Sequence, residues 1–398
     1  MSNEAIRIPW QCIAVLFAVS LPVPQAISHA NLPPTTQRVD SREEKTTTRP
    51  SADAGSKSRK SKPKREEGTV IIGDTGRRIA ELAQNAAADG FSGAVLAAVK
   101  GRVVAAIGVG HADLEEKQQN SPDTLFEIAS ASKQFTAAAV MRLVQEDKLK
   151  LEDSIARHLP PVPEDCKEIT IEHLLRHTSG IPGANSQGAG DDIEKVLPAF
   201  LHGGPTHPPG THWEYWNQGY AIISEIIRRA SGKKYTVYCK KALFEPAGLN
   251  VTCFTGDKPP KGMVVAVGRS SSGSPRSALE HPYGSYGFQY RGMGGIVTTV
   301  WDLWRWDRAL RDKTILDADA KRELFRPGLN NYALGWFVAK NAHGQLVQSH
   351  GGGVRGFTCD MRRYPEQNAF LVILCNRDDF RLHALTEAIE AAMFRDVR

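Results

Sequence analysis

The chain has 398 residues, 41% of them hydrophobic and 24% charged, with six cysteines and a formal net charge of +6. That balance excludes a disordered, collagen-like or polytopic membrane protein and a disulfide scaffold, and at roughly 150 residues per domain it leaves room for two or three structural units. Four of the six net charges fall between Asn31 and Gly68, where ten Lys/Arg face six Asp/Glu, so the remainder is nearly neutral and unsuited to nucleic acid.

Residues 1–30 read as an export signal. Arg7 precedes the apolar run from Ile13 to Val23, and small residues at Ala26, Ser28 and Ala30 offer a cleavage zone. The competing reading is an uncleaved membrane anchor, because the 21 residues from Ile8 to Ser28 carry no charge, although Pro9, Pro22 and Pro24 make a poor lipid helix. Asn31 to Gly68, rich in Pro, Ser, Thr, Lys and Arg, is expected to be a disordered basic linker, since it has too little apolar surface to offset its ordering entropy. A sharper reading makes Lys57–Arg65 a tether to an anionic envelope or membrane surface. Either way the protein is expected outside the cytoplasm, periplasmic, extracellular or membrane-anchored.

Folded character begins near residue 69. The pattern Ile79, Leu82, Ala83, Ala86 predicts an amphipathic helix over Arg77–Asp89. Two apolar runs, Gly93–Val99 and Val103–Gly110, flank Lys100–Gly101–Arg102 and predict a hairpin. A central stretch of helical patterns and Pro/Gly loops follows. Phe357–Tyr364 and Ala369–Leu374 predict a second hairpin, and Leu382–Phe394 a closing helix. The implied fold class is α+β, an α/β sandwich. An antiparallel sheet is built from both chain ends (about 69–125 and 285–398) and flanked by terminal helices, with a mostly helical insertion (about 126–284), all within one domain of residues 69–398.

The chemical signal is Ser130-Ala-Ser-Lys133, a Ser-x-x-Lys pattern that opens the apolar helical run Phe135, Ala138, Ala139, Met141, Leu143, Val144. The same pattern at Ser61–Lys64 lies in the linker, and that at Ser231–Lys234 sits at a helix end marked by Gly232. A spacing of three puts both side chains on one face. A serine hydroxyl needs an adjacent base, and a lysine can act as one only when neutral. Its pKa must then drop from near 10.4 to about 7, roughly 4 kcal/mol, which burial at an apolar helix start favours.

The stretch around Ser130 resembles the nucleophile motif of the serine β-lactamase and penicillin-binding-protein superfamily, in its class C β-lactamase, D-alanyl-D-alanine carboxypeptidase and family VIII esterase branch. Leu174-Leu-Arg-His177-Thr-Ser-Gly180, Tyr215-Trp-Asn217, Gly292-Met-Gly-Gly295 and His350-Gly-Gly-Gly353 are similar to further segments of that branch, in its order. The resemblance spans about residues 75–395. It implies Ser130 as acylated nucleophile, Lys133 and Tyr215 as the proton-transfer pair, and Asn217, His350 and Gly352 at the substrate. It also implies the backbone N–H groups of Ser130 and Gly353 as oxyanion hole. Where class C β-lactamases usually carry Lys-Thr-Gly, this chain has His350-Gly351-Gly352, which replaces a fixed cation and removes a hydroxyl. Both departures point away from strong β-lactamase activity.

The function implied is that of a metal-free, cofactor-free serine hydrolase acting on a small ester, amide or peptide. β-Lactam hydrolysis or D-Ala-D-Ala carboxypeptidation is the alternative within the class, and a non-catalytic envelope-polymer binder or an anchored scaffold the alternative outside it. Gly351-x-Gly353-x-x-Gly356 matches a dinucleotide pattern but lacks the following helix. His173 and His177, four apart on a predicted helix, suit packing or capping better than metal binding, and His202, His207 and His212 fall in a solvated loop. Cys359 and Cys375 are expected on adjacent strands as core residues, and no required disulfide is expected among Cys166, Cys239, Cys253, Cys359 and Cys375.

Overall fold

The computed structural model describes residues 68–185, 190–271 and 273–395. The export signal or anchor and the basic linker, up to residue 67, lie outside the described residues. Among the described residues no helix is long and apolar enough to cross a membrane.

Strand β1 (Val70–Ile71) leads into helix α1 (Gly73–Ala88), which buries Ile79, Ala80 and Ala83. The helix starts one turn earlier than its apolar pattern predicts. Gly76 allows this: a Cβ there would collide with the carbonyl of Val104, so only glycine lets the first turn lie on the sheet. Strands β2 (Gly93–Val99) and β3 (Arg102–Val109) form the predicted hairpin. Its two turn residues, Lys100 and Gly101, have φ +51° and +77°, the positive values that match the twist of tight hairpins.

The middle of the chain supplies α2 (Lys133–Gln145), α3 (Asn217–Ser231) and α4 (Val300–Arg311). Strands β4 (Phe337–Lys340), β5 (Leu346–Val354), β6 (Phe357–Tyr364) and β7 (Ala369–Cys375) follow, and α5 (His383–Phe394) closes the fold. The large sheet runs β1-β3-β2-β7-β6-β5-β4, antiparallel throughout. Its seam is the β2–β7 pair, Gly93 against Cys375 through Ala98 against Phe370, which joins the two ends of the domain.

Both faces of this seam are covered, which explains why β2 and β7 read as unbroken apolar runs rather than alternating ones. Val95, Ala97, Leu371 and Ile373 pack with Ile79 and Ala83 of α1 and Ile389 and Met393 of α5. Ala94, Leu96, Val372 and Leu374 face the other way, into the core that holds α2 and α4. Helix α2 is buried on nearly every side from Lys133 to Leu143, the pattern of a central helix. Trp306 of α4 stacks on Phe135 of α2 with ring centroids 4.4 Å apart, and its Nε1 donates to Gln134 Oε1 at 2.8 Å. A second, three-stranded sheet places Ile296–Thr298 between Phe126–Glu127 and Cys253–Phe254.

One buried ion cluster ties α4 to the sheet. Asp307, fully buried, accepts from Arg363 Nε of β6 at 2.7 Å and from Arg311 Nε at 2.7 Å, and Arg363 Nη1 also donates to Gln348 Oε1 of β5 at 2.7 Å. Removing one member leaves buried charge without compensation, which costs about 3–5 kcal/mol. Asp307→Ala is therefore expected to lower the unfolding free energy by that margin, measured by urea unfolding against wild type.

Candidate active site

The turn that presents Ser130 is built from the short sheet outward. After Phe126–Glu127 the chain enters a 3₁₀ turn, Ala129–Ser132, and only then the α-helix. Ser130 thus precedes the helix rather than opening it, and Lys133 is the first helical residue. Ala129 adopts φ +44°, a strained value for a residue with a Cβ. It is held there because Ile128 N–H donates to Ile296 O at 3.0 Å and Ile296 N–H donates to Ser132 Oγ at 3.2 Å. The strained turn leaves Ser130 half-buried at the surface of the core. Lys133, one turn on, is fully buried.

The Lys133 amine lies 3.2 Å from Ser130 Oγ, 2.8 Å from Asn217 Oδ1 and 3.2 Å from Met293 O. No carboxylate among the described residues pairs with it, and burial holds its pKa well below the usual lysine value. A neutral amine has two hydrogens and one lone pair. Asn217 Oδ1 and Met293 O can only accept, so in the neutral form they would take the two hydrogens and leave the lone pair toward the Ser130 hydroxyl.

Tyr215 and Asn217 come from the entry to α3. Trp216 is extended (φ −126°, ψ 109°) and buried, its indole donating to Asn185 O at 2.8 Å, and Asn217 is the first helical residue. The Tyr215 phenol hydrogen-bonds Ser130, and its ring centroid is 4.9 Å from Lys133 Nζ. Burial pushes the phenol's pKa up, the bond to Ser130 only partly opposing this. Tyr215, Ser130 and Lys133 thus form one hydrogen-bonded group around the Ser130 hydroxyl.

His350 and the three glycines lie on β5. His350 is buried. Its Nδ1 is 2.6 Å from Gly351 O, which can only accept, so Nδ1 carries the proton and Nε2 accepts from Tyr332 O–H at 3.1 Å. Burial pushes its pKa down to about 3. Gly352 faces the nucleophile turn: a Cβ there would collide with Ile128 O and lie 3.0 Å from Ser130 N. Only glycine lets β5 approach the Ser130 backbone amide this closely. Cys359 lies beneath, its Sγ 3.2 Å from Ile128 O, and Gly353 pairs with Thr358 on β6.

The structure therefore brings together Ser130, Lys133, Tyr215, Asn217, His350 and Gly352. Met293 and Tyr332 were not visible as site residues, the first because it acts through its carbonyl. Gly351-x-Gly353-x-x-Gly356 is strand and turn. The two histidines spaced by four do not share a helix, because Ile171–Leu175 ends before His177; His173 completes a capping box with Thr170. The His207 and His212 rings stack on each other at 4.1 Å. Cys359 and Cys375 sit on adjacent strands, buried, and the five described cysteines are free thiols. Among the described residues no group of three or more His, Cys, Asp or Glu could hold a metal ion.

Residues 79–393 match the beta-lactamase family, and the chain belongs to it, within the serine β-lactamase and penicillin-binding-protein superfamily of hydrolases. It is 31% identical over 331 residues to penicillin-binding protein 4* of Bacillus subtilis (strain 168), a match covering 76% of this chain and 72% of that one. Among solved structures it is similar to the octameric penicillin-binding protein homologue from Pyrococcus abyssi, with TM-score 0.67, 25% identity and coverage of 81% and 76%. The fold is also that of the D-amino acid amidase from Ochrobactrum anthropi SV3, with TM-score 0.70, 22% identity and coverage of 82% and 100%.

The buried amine gives a test with a defined sign. Between the folded pKa of Lys133 and its ordinary value the unfolded chain binds one proton more, so this residue lowers stability at neutral pH and the penalty fades as pH rises. Lys133→Met is expected to be more stable than wild type at pH 7, with the margin narrowing toward pH 10, read from urea midpoints. Modification of Ser130 by an activated serine reagent is expected to slow about 10²–10⁴-fold in the same variant.

Proposed function

We propose that the protein is a serine hydrolase that cleaves an ester or amide through an acyl-enzyme on Ser130, with Lys133 as the base. The observation that carries this is the buried Lys133 amine, held by Asn217 Oδ1 and Met293 O, 3.2 Å from the Ser130 hydroxyl and with its pKa well below the usual lysine value. Ser130 Oγ attacks the substrate carbonyl and its proton passes to Lys133. The backbone amides of Ser130 and Gly353 receive the developing oxyanion, each donor worth about 3 kcal/mol. The leaving group departs with a proton supplied through Tyr215, which Lys133 replenishes. Water then attacks the ester carbonyl, gives its proton back along the same path and releases the acid, restoring Ser130.

The substrate class follows from His350. Both ring nitrogens are engaged, one by Gly351 O and the other by Tyr332 O–H, and the ring is neutral. It offers no cation to a substrate carboxylate, so simple esters and amides fit better than β-lactams or peptides ending in D-alanine, which carry one. The apolar run from Ile13 to Val23 supports action outside the cytoplasm.

The deciding experiment is a panel of short-chain p-nitrophenyl esters, D-alanyl peptides and a chromogenic cephalosporin, with fluorophosphonate labelling read by mass spectrometry. Wild type is expected to hydrolyse the esters fastest and to carry the label on Ser130, and Ser130→Ala to lose both. Undiminished turnover in that variant would remove the mechanism. Hydrolysis of the cephalosporin faster than of the esters would reverse the substrate assignment.

A further inference from the structure

His177 stands outside the reacting set, yet it holds the segment that delivers Tyr215. Its backbone has φ +59°, uncommon for a residue with a Cβ, and this reversal after Ile171–Leu175 turns the imidazole inward, where it is 2% exposed. Two hydrogen bonds then join it to the chain on either side of the phenol. Its carbonyl accepts Glu214 N–H at 2.9 Å, and its Nδ1 accepts Trp216 N–H at 3.1 Å. Tyr215 lies between those two amides, its ring 4.2 Å, centroid to centroid, from the imidazole. The same imidazole touches Tyr332, the partner of His350, at 4.8 Å and Tyr220 at 5.2 Å.

The chemistry of the ring is determined by these contacts. Because Nδ1 accepts, the proton sits on Nε2. Burial keeps the pKa well below that of an ordinary histidine, so the ring is neutral. Nε2 is buried with no hydrogen-bond partner among the described residues. A side chain retained for its volume alone would not carry that burden, since phenylalanine fills similar space with no polar atom to desolvate. What phenylalanine lacks is an acceptor at the δ1 position, the one His177 uses.

We infer that His177 is the positioning residue of the site: through Trp216 N–H and its neighbouring ring it sets the Tyr215 phenol against Lys133. It acts as an acceptor, not as an acid, a base or a metal ligand. The inference rests on the hydrolase reading above.

The test separates the acceptor from the bulk. In His177→Asn the amide oxygen falls close to the place of Nδ1, and asparagine tolerates the left-handed backbone. His177→Gln carries its oxygen one bond too far, and His177→Phe has none. Each variant is assayed by p-nitrophenyl ester hydrolysis and by the rate of fluorophosphonate labelling of Ser130, with a melting curve alongside. His177→Asn is expected to keep at least about a third of the wild-type kcat, while the Gln and Phe variants lose about 30- to 100-fold in kcat with KM changed less than about threefold. In a Tyr215→Phe background, His177→Phe is expected to cost less than about threefold more, because both changes act through one phenol. If the Phe variant does not fold, the contrast between Asn and Gln decides. Equal rates for Asn and Gln, or a full additional loss in the Tyr215→Phe background, overturn the inference while leaving the hydrolase reading intact. A wild type whose Ser130 is not labelled overturns both.

Discussion

An amine kept out of water without a counter-charge is the constraint around which this protein is arranged. Burying Lys133 among apolar groups disfavours its cation, and no carboxylate among the described residues pairs with it. Instead, two neutral oxygens, Asn217 Oδ1 and Met293 O, fix the orientation of the amine. Three separate parts of the chain must meet for this: the turn before α2, the first residue of α3, and the glycine-rich segment before Ile296–Thr298. Packing of α2 on every side makes the meeting place dry, and the sheet beneath makes it rigid. The arrangement sacrifices stability for a reactive ground state, a common trade at active sites.

The rest of the site is electrically quiet. Tyr215, His177 and His350 are all neutral, for the same reason as Lys133: each is enclosed by other rings or by backbone. Tyr332 has a share in this, since its hydroxyl occupies the nitrogen of His350 that would otherwise face a ligand. Buried Arg276 joins Glu127, three residues before Ser130, to the carbonyl of Arg355 just beyond the glycines of β5. Tyr290 donates to the same carboxylate. That cluster braces the two walls of the site against each other without presenting charge to it.

Much of this was legible before any coordinates. Both hairpins and both terminal helices follow from apolar runs bounded by turn residues, and the first turn is one residue shorter than the sequence suggests, because Arg102 already belongs to β3. Ser130 and Lys133 stand out by residue type and spacing, while Tyr215, Asn217 and His350 stand out only through the family resemblance. What stayed hidden is what side-chain identity does not encode. Met293 contributes a backbone oxygen, which any residue has. The left-handed Ala129 and His177 carry no glycine to announce them. A spacing of four made His173 and His177 look like neighbours on one helix face, whereas the chain reverses between them.

The β2–β7 seam has a consequence for how the molecule is made. Gly93 lies against Cys375, so the middle of the sheet is closed by segments almost a whole domain apart in the chain. The equilibrium cost of joining such distant ends is small, about 0.6 kcal/mol for each doubling of the intervening loop. The kinetic cost is larger. While the ribosome is still extending the chain, the first hairpin has a bare edge that is apolar on both faces, the kind that sticks to other strands. Folding of the sheet therefore waits for translation to reach the last strand, and a holding chaperone that shields the hairpin until then would raise the yield of native protein more than any gain in final stability.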